Sequence, residues 1–427
     1  MDGSESRDQS YRAVFLARSA DEVRRRYLDR LLRLRDEGFE VDVLAGDTGG
    51  FDELRDAGIE ARPIPVRHPH NVAGLLGAYF IVQAHLLERR PMMVHSFGHR
   101  VAWLGTYAAR RAQVPAVFST MEYHWLEEEP LRVPLGPLTL FGASGLIDTV
   151  TGAEEGINNI VGTPFRRTMH RAYRWLAEEV DRYIVTTEFD MQLLQDMEIA
   201  ADDKLEMVIG GAGVDLQAFS LPEKGDPMRQ EAREQLELPD HWRQVVGWVG
   251  PVTRRHGADD LLAAISKLKM THPSVGFLVV VRGTLASGQA RRLRRLEQRG
   301  QVRLIRDVDD EALVFRAMDV LAWFGHPSTP HDAISQAAAL AVPTVGYDTP
   351  AARSLVEQGQ TGHLVFEDDR QAAIGTLGKM LNDPKRLADL GWRARSRANL
   401  RFSRRAVDDQ MVRLYDRVLD QVLRQLA

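Results

Sequence analysis

The chain has no cysteine among its 427 residues, which excludes disulfides, Cys-ligated zinc, iron–sulfur clusters and thiol catalysis. It has no strong excess of charge either. Lys plus Arg is 55 against Asp plus Glu 60, a net charge of −5, so no general nucleic-acid-binding field is expected. Long hydrophobic runs are also missing. Asn71 to Leu87 carries no Asp, Glu, Lys or Arg, but it falls short of the ~20 apolar residues of a spanning helix. It also contains Asn71, Gln83 and His85, and a buried helix is predicted there. Val133 to Ile147 is uncharged as well, yet Pro134, Gly136, Pro137, Gly142 and Gly145 break it into loop or short helix that can lie on a membrane but not cross it. The opening MDGSESRDQS lacks the basic start and apolar stretch of a signal peptide, so a cytoplasmic location is expected. No Walker A sequence, nucleophile elbow or EF-hand loop occurs.

What is present is the composition of a soluble globular protein, 44% hydrophobic and 27% charged. Single cores stop growing at about 250–300 residues, so two domains are expected. Apolar runs of period two alternate with stretches of period 3.6. Strands are predicted at Ala13–Ala17, Glu40–Ala45, Ala61–Val66, Met92–His95, Ala116–Thr120, Arg182–Thr186 and Lys204–Ile209. A helix is predicted over Asp21–Glu37, closed by Gly38. After a charged, proline-containing linker the pattern resumes with strands at Gln244–Val249, Gly276–Val281, Gln301–Ile305, Val320–Phe324, Pro343–Gly346 and Gly362–Val365. Strands separated by helices mean parallel pairing with right-handed crossovers, hence an α/β fold of two doubly wound, Rossmann-like domains. The boundaries read as 1–218, a linker at 219–242, and 243–402. A final helix over 403–427 carries Val407, Met411, Leu414, Val418 and Val422 on one stripe and is expected to pack back on the first domain. Two such halves imply a cleft, and ligands of open sheets bind outside the carboxyl ends of strands.

The order of motifs carries a resemblance. VIGGAGVDLQAF (Val208 to Phe219) ends the first half and GWVGPVTRRHGADDLLAAI (Gly247 to Ile265) opens the second. They are followed by RLIRDVDDEALVFRAMDVLAWFGHPS, AALAVPTVGYDTPAARSLVEQGQTGHLV and FSRRAVDDQMVRLYDRVL. This resembles the retaining GT-B glycosyltransferases of family 4. The resemblance implies transfer of a sugar from a nucleotide-sugar donor, held by the second domain, to a hydroxyl of a glycan or lipid-linked acceptor, in glycan or glycoconjugate biosynthesis. The nucleotide sugar is then a substrate, and no metal or other cofactor is expected.

The chain departs from the family pattern at places that can be named. Where the family has an arginine and then a lysine before glycine to neutralise the donor diphosphate, this chain has Pro251 and His256 before Gly257, with Arg254 and Arg255 between them as displaced cations. The family's two glutamates fall on Ser328 and Gln336, or the first on His331 or Asp332 if the loop is shorter. Gln336 is expected to accept a hydrogen bond from the ribose. The turn after it, Gly346 to Ala351, which contains Thr349, offers backbone amides to the diphosphate. After the first strand ARSADEV replaces a glycine-rich turn. There Arg18 projects a cation on the acceptor side, or Ser19 simply caps a helix with Asp21 and Glu22 in its first turn. His95 and His99 follow another strand as a further acceptor-side pair, without the third ligand a metal needs. Glu122 and His124, in STMEYHWLEEEP, are candidates for acting on an acceptor hydroxyl. The segment 130–168 is expected to form either an acceptor-side lid that touches lipid at the inner face of the membrane or a rigid, self-packed loop. Two functions remain open on these residues: an active transferase, or a pseudo-glycosyltransferase that binds a ligand or partner protein without turnover.

Overall fold

The protein is described by a computed structural model covering residues 11–66, 72–120, 171–221, 227–325 and 332–426, apart from 172, 197, 307 and 309. By contact the chain divides into two units. The first takes residues 1–186, 190–208 and 410–427, and the second takes 187–189 and 209–409.

The first unit is a seven-stranded sheet in the order β3-β2-β1-β4-β5-β6-β7. Its strands are β1 (Tyr11–Ala17), β2 (Phe39–Gly46), β3 (Glu60–Ile64), β4 (Met93–Phe97), β5 (Ala116–Thr120), β6 (Arg182–Val185) and β7 (Leu205–Met207), and all pairs are parallel. Helices α1 (Ala20–Asp36), α2 (Phe51–Asp56), α3 (Val72–Arg89), α4 (His99–Arg111) and α5 (Glu188–Asp196) intervene. Every strand predicted from the sequence in this half is present, with ends displaced by a few residues. Ser19 caps α1 by accepting from the Glu22 amide at 3.2 Å, with Asp21 and Glu22 in the first turn. Val23, Tyr27, Leu31 and Leu34 recur at helical spacing and are buried.

Helix α3 corrects the expectation of a buried helix. Ala78, Val82, His85 and Leu86 are buried against the sheet, but Leu76, Phe80 and Leu87 are 59%, 60% and 54% exposed. The sheet covers one side only, and the helix is apolar on both. Within its buried face a carboxylate is enclosed. Asp42 on β2 accepts from Arg89 Nε at 2.8 Å and Nη2 at 3.0 Å, and its Oδ2 lies 2.9 Å from His85 Nε2.

The second unit repeats the plan. Its sheet runs β10-β9-β8-β11-β12-β13, with β8 (Gln244–Val252), β9 (Val275–Leu285), β10 (Val302–Arg306), β11 (Val320–Trp323), β12 (Thr344–Tyr347) and β13 (Gly362–Val365). All these strands stand where the sequence pattern puts them, and all pair in parallel. The helices are α6 (Pro227–Gln235), α7 (Ala258–Thr271), α8 (Ser287–Gln298), α9 (Glu311–Arg316), α10 (Asp332–Ala339), α11 (Pro350–Leu355), α12 (Arg370–Leu381) and α13 (Pro384–Arg397), and α14 (Arg404–Leu426) begins in this unit and belongs to the first from residue 410 onward. In strand terms both sheets reverse direction beside their first strand, at β1/β4 and β8/β11, the switch points at which doubly wound sheets bind ligands. Alanine-rich α10 buries Ala333, Ala337, Ala338 and Ala339, and a Cβ at Gly391 on α13 would stand 2.0 Å from the Ala341 carbonyl oxygen just beyond it. Small residues here let two backbones approach.

In α14, Val407, Met411, Leu414 and Val418 of the predicted stripe are buried, and so is Tyr415. Tyr415 meets the first sheet. His95 Nδ1 lies 2.6 Å from Tyr415 Oη, and His95 Nε2 lies 2.8 Å from Thr120 Oγ1. A neutral imidazole, donating at one nitrogen and accepting at the other, satisfies both contacts. Burial, with the charge of Arg30 behind it, holds the His95 pKa well below the ordinary histidine value. The folded value is therefore below the unfolded one, near 6.5. His95 leaves stability intact above that pH and subtracts from it as pH falls toward the folded value, by up to about 1.4 kcal/mol per pH unit. The wild type should accordingly lose stability between pH 6.5 and 5 more steeply than His95→Gln in urea melts. Equal slopes would mean that the ring protonates in place.

Candidate active site

The second unit gathers charged and hydrogen-bonding groups at the carboxyl edge of its sheet. After β8 the chain makes a short turn over Arg254–His256 and enters α7 through Gly257. Gly257 has φ +81°, and a Cβ there would lie 2.1 Å from the carbonyl oxygen of Phe324, immediately after β11. This glycine therefore holds the turn against the switch point at a distance no side chain allows. His256 is buried, with Nδ1 2.6 Å from Thr253 Oγ1. Its ring packs inside the turn against the Thr253 hydroxyl. Arg254 is 86% exposed and donates from Nε to Asp259 at 3.1 Å. An exposed pair of this kind is weak, which leaves the guanidinium available to a stronger anion. Arg255 belongs to the same turn, but its side chain lies outside the described residues.

Three side chains from three elements meet at the same edge. Arg282, near the end of β9, donates from Nη1 to Gln336 Oε1 at 2.8 Å, and its Nη2 lies 3.0 Å from Glu311 Oε2. Gln336 on α10 donates from Nε2 to the same Glu311 oxygen at 3.1 Å. The Arg282 guanidinium also lies 5.6 Å from the centre of the Phe315 ring. Burial pulls the Arg282 pKa below its ordinary value, opposed by the charges of Glu311 and Asp332. Gln336 was expected to offer its oxygen to a ribose, but both ends of its amide are engaged within the protein. Thr349 is fully buried, and its hydroxyl caps α11 by accepting from the Ala352 amide at 3.3 Å.

Of the remaining candidates, Arg18 is exposed just after β1, beside the Ser19 cap. His95 lies inside the first unit, so the His95/His99 pair does not present two rings to a ligand. His99 starts α4, and its side chain is outside the described residues, as are Glu122, His124, Ser328, His331 and the whole segment 130–168.

Residues 23–211 match the family model of the glycosyl transferase 4-like domain, and residues 243–383 match that of the glycosyl transferases group 1. The chain belongs to the group 1 glycosyltransferases. The D-inositol 3-phosphate glycosyltransferase of Corynebacterium jeikeium is 28% identical over 251 residues, 56% of this chain and 58% of that protein. The capsular polysaccharide biosynthesis glycosyltransferase CapM of Staphylococcus aureus is 24% identical over 226 residues, 52% and 57% of the two chains. This group 1 chain thus spans a little under three fifths of the length of these curated relatives. Among solved structures, Anabaena HepE in complex with UDP and glucose aligns with TM-score 0.70 and 16% identity over 95% of this chain and 99% of that one. Sucrose-phosphate synthase from Thermosynechococcus elongatus aligns with TM-score 0.70 and 18% identity over 96% and 100%. These likenesses are of fold, the two doubly wound domains of the GT-B class.

Sequence reasoning found the group 1 frame and missed Arg282 and Glu311. Each carried a usable signal. Arg282 ends the apolar run VGFLVVV, and so stands at a strand's carboxyl end, while Glu311 follows the cap Asp310, whose side chain accepts from the Leu313 amide at 3.1 Å. The rule that ligands gather outside strand ends points at both.

Proposed function

We propose that this chain moves a hexose from a nucleotide-sugar donor to an acceptor hydroxyl, with retention of anomeric configuration, in the assembly of a glycan or glycoconjugate. The observation that carries this is the Arg282–Glu311–Gln336 cluster at the carboxyl edge of the second sheet. It is a partly buried, charged and hydrogen-bonding group at the place where doubly wound sheets bind nucleotides. The sugar-transfer activities named for the two curated relatives support transfer over binding alone. Arg254 and Arg255 supply charge to the diphosphate, so that the donor is taken as substrate without a metal ion. Acceptor-side work falls to the first unit, with Glu122 and His124 as its candidates.

The test is incubation of the purified chain with a panel of nucleotide hexoses, with and without EDTA. Released nucleoside diphosphate would be followed, and the anomeric configuration of the product read by NMR. EDTA-insensitive release is expected. No release and no thermal shift with any nucleotide sugar would sink the transferase reading and leave a binding protein.

A peripheral membrane contact belongs to the same proposal. Among the described residues no helix is long and apolar enough to cross a membrane. Support comes from the open face of α3, with Leu76 and Phe80, whose neighbour Tyr79 lies 5.5 Å from the ring of Tyr107. The Arg111 guanidinium stands 5.3 Å over that ring, a charge suited to an anionic lipid surface. Sedimentation with anionic vesicles, lost in Phe80→Glu, is the expected result; equal recovery in the supernatant with and without vesicles would overturn it.

A further inference from the structure

We propose that Glu311 is the carboxylate that reads the ribose of the donor, delivered from α9 to the place where family members carry a glutamate on the α10 helix and this chain carries Gln336. The inference rests on the donor reading above and goes beyond it by assigning a residue outside the family's own pair of positions.

The argument starts from the chemistry of a vicinal diol. Two adjacent hydroxyls are held best by one ionised carboxylate, which accepts from both with charge-assisted bonds. An amide has one acceptor oxygen and two N–H donors and cannot do the same. At position 336 the amide oxygen already accepts from Arg282 at 2.8 Å, which leaves one uncharged lone pair where a diol asks for two charge-assisted acceptors. The Glu311 carboxylate lies 3.1 Å from the Gln336 amide nitrogen, and this separation moves the negative charge by one hydrogen bond from where a glutamate at 336 would hold it.

The rest of the cluster fixes Glu311 in that place. Both contacts, from Gln336 Nε2 and Arg282 Nη2, fall on Oε2. With the Glu311 side chain 43% exposed, Oε1 is left to accept from a ligand. Arg282 is less exposed, at 29%, and is anchored over Phe315, so it acts as a positioning residue that orients the carboxylate. A glutamine at 336 then has a clear role. A glutamate there would set a second negative charge about one hydrogen-bond length from Glu311, and like charges this close cannot both stay ionised at little cost. The amide donates where a carboxylate would repel. The carboxylate stands on α9 and the amide on α10, and the pair as a whole carries one negative charge beside one guanidinium.

The inference makes the site selective for nucleoside diphosphates with an intact 2′,3′-diol. Calorimetry would compare uridine, guanosine and adenosine diphosphates with their 2′-deoxy forms, using the full chain and the variants Glu311→Gln, Gln336→Glu and the double exchange Glu311→Gln with Gln336→Glu. For the base that binds, the wild type should prefer the ribo form by about tenfold or more. Glu311→Gln should weaken the ribo form about tenfold while leaving the deoxy form nearly unchanged, so that the preference collapses. The double exchange should restore it by returning the carboxylate to α10. Unchanged melting temperatures establish that each variant is folded, and a variant that melts early is replaced by Glu311→Ala read at lower temperature. If Glu311→Gln binds as the wild type does and keeps its ribo preference, Glu311 does not read the sugar and the inference is wrong while the donor reading stands. If no nucleoside diphosphate binds the wild type, both fall together.

Discussion

Gly257→Ala is expected to destabilise the second unit by about 2–5 kcal/mol and to abolish nucleotide binding at any concentration practical for calorimetry. Two independent costs add. The residue has φ +81°, where an L side chain costs about 1–2 kcal/mol. Its new Cβ would also stand 2.1 Å from the Phe324 carbonyl oxygen, and backbone has no rotamer by which to give way, so overpacking adds about 1–3 kcal/mol. The only relief is to move the turn over Arg254–His256 away from β11, which displaces the exposed Arg254 from the switch point. Gly288→Ala is the matched control. That position lies in α8 with nothing within 4 Å of an added Cβ, so the change should be neutral or stabilise by up to about 1 kcal/mol. Urea melts of the two variants check the comparison. Equal effects would mean that the second unit tolerates movement at its switch point.

Asp42→Ala is expected to cost the first unit about 3–5 kcal/mol, the usual consequence of removing one partner from a buried charged pair. His85 is 2% exposed and Asp42 4%, so the groups left behind cannot turn to water, though Arg89 at 28% recovers some solvation and moderates the loss. Asp42→Asn should cost less, because its amide oxygen still accepts one hydrogen bond from Arg89. Burial alone would raise the Asp42 carboxyl, but hydrogen bonds from His85 and Arg89 and the charges of both residues prevail, and the pKa is lowered. A folded value below the unfolded one gives stability that is present above the unfolded pKa, near 3.9, and is lost as pH falls through the folded value. The stability difference between wild type and Asp42→Asn should therefore shrink below about pH 4. A difference that stays constant down to pH 2.5 would show that the contribution is packing and not charge.

The positions of the strands were legible because each sheet is parallel and covered by helices. Strands buried on both faces read as short apolar runs such as VVGWVG in β8 and FLVVV in β9. The site was legible in outline, and the contacts within it were not, for one physical reason. A sequence tells which residues follow a strand but not which side chains face one another across two loops. His256 and Gln336 were placed by spacing along the chain, and both are engaged by partners that spacing does not reveal, Thr253 in one case and Arg282 with Glu311 in the other. The same limit applies to Thr349, whose hydroxyl is consumed by a cap. Helix α3 failed differently. An uncharged segment predicts burial, and only the sheet's position tells that half of its apolar surface is left open.

The contact between His95 and Tyr415 joins residues 320 positions apart. Its consequence concerns the order in which the chain becomes complete. During synthesis all the strands of the first unit emerge before any strand of the second, yet residues 410–427, which belong to the first unit, are made after the second. Until they arrive, a buried imidazole lacks one of its two partners and the sheet lacks the Tyr415 ring that closes over Phe118 at 5.0 Å. The first unit begun is therefore the last to be finished. A chain stopped after the second unit should remain uncovered over the middle of that sheet, with amides of β4 and β5 exchanging faster than they do once α14 has docked.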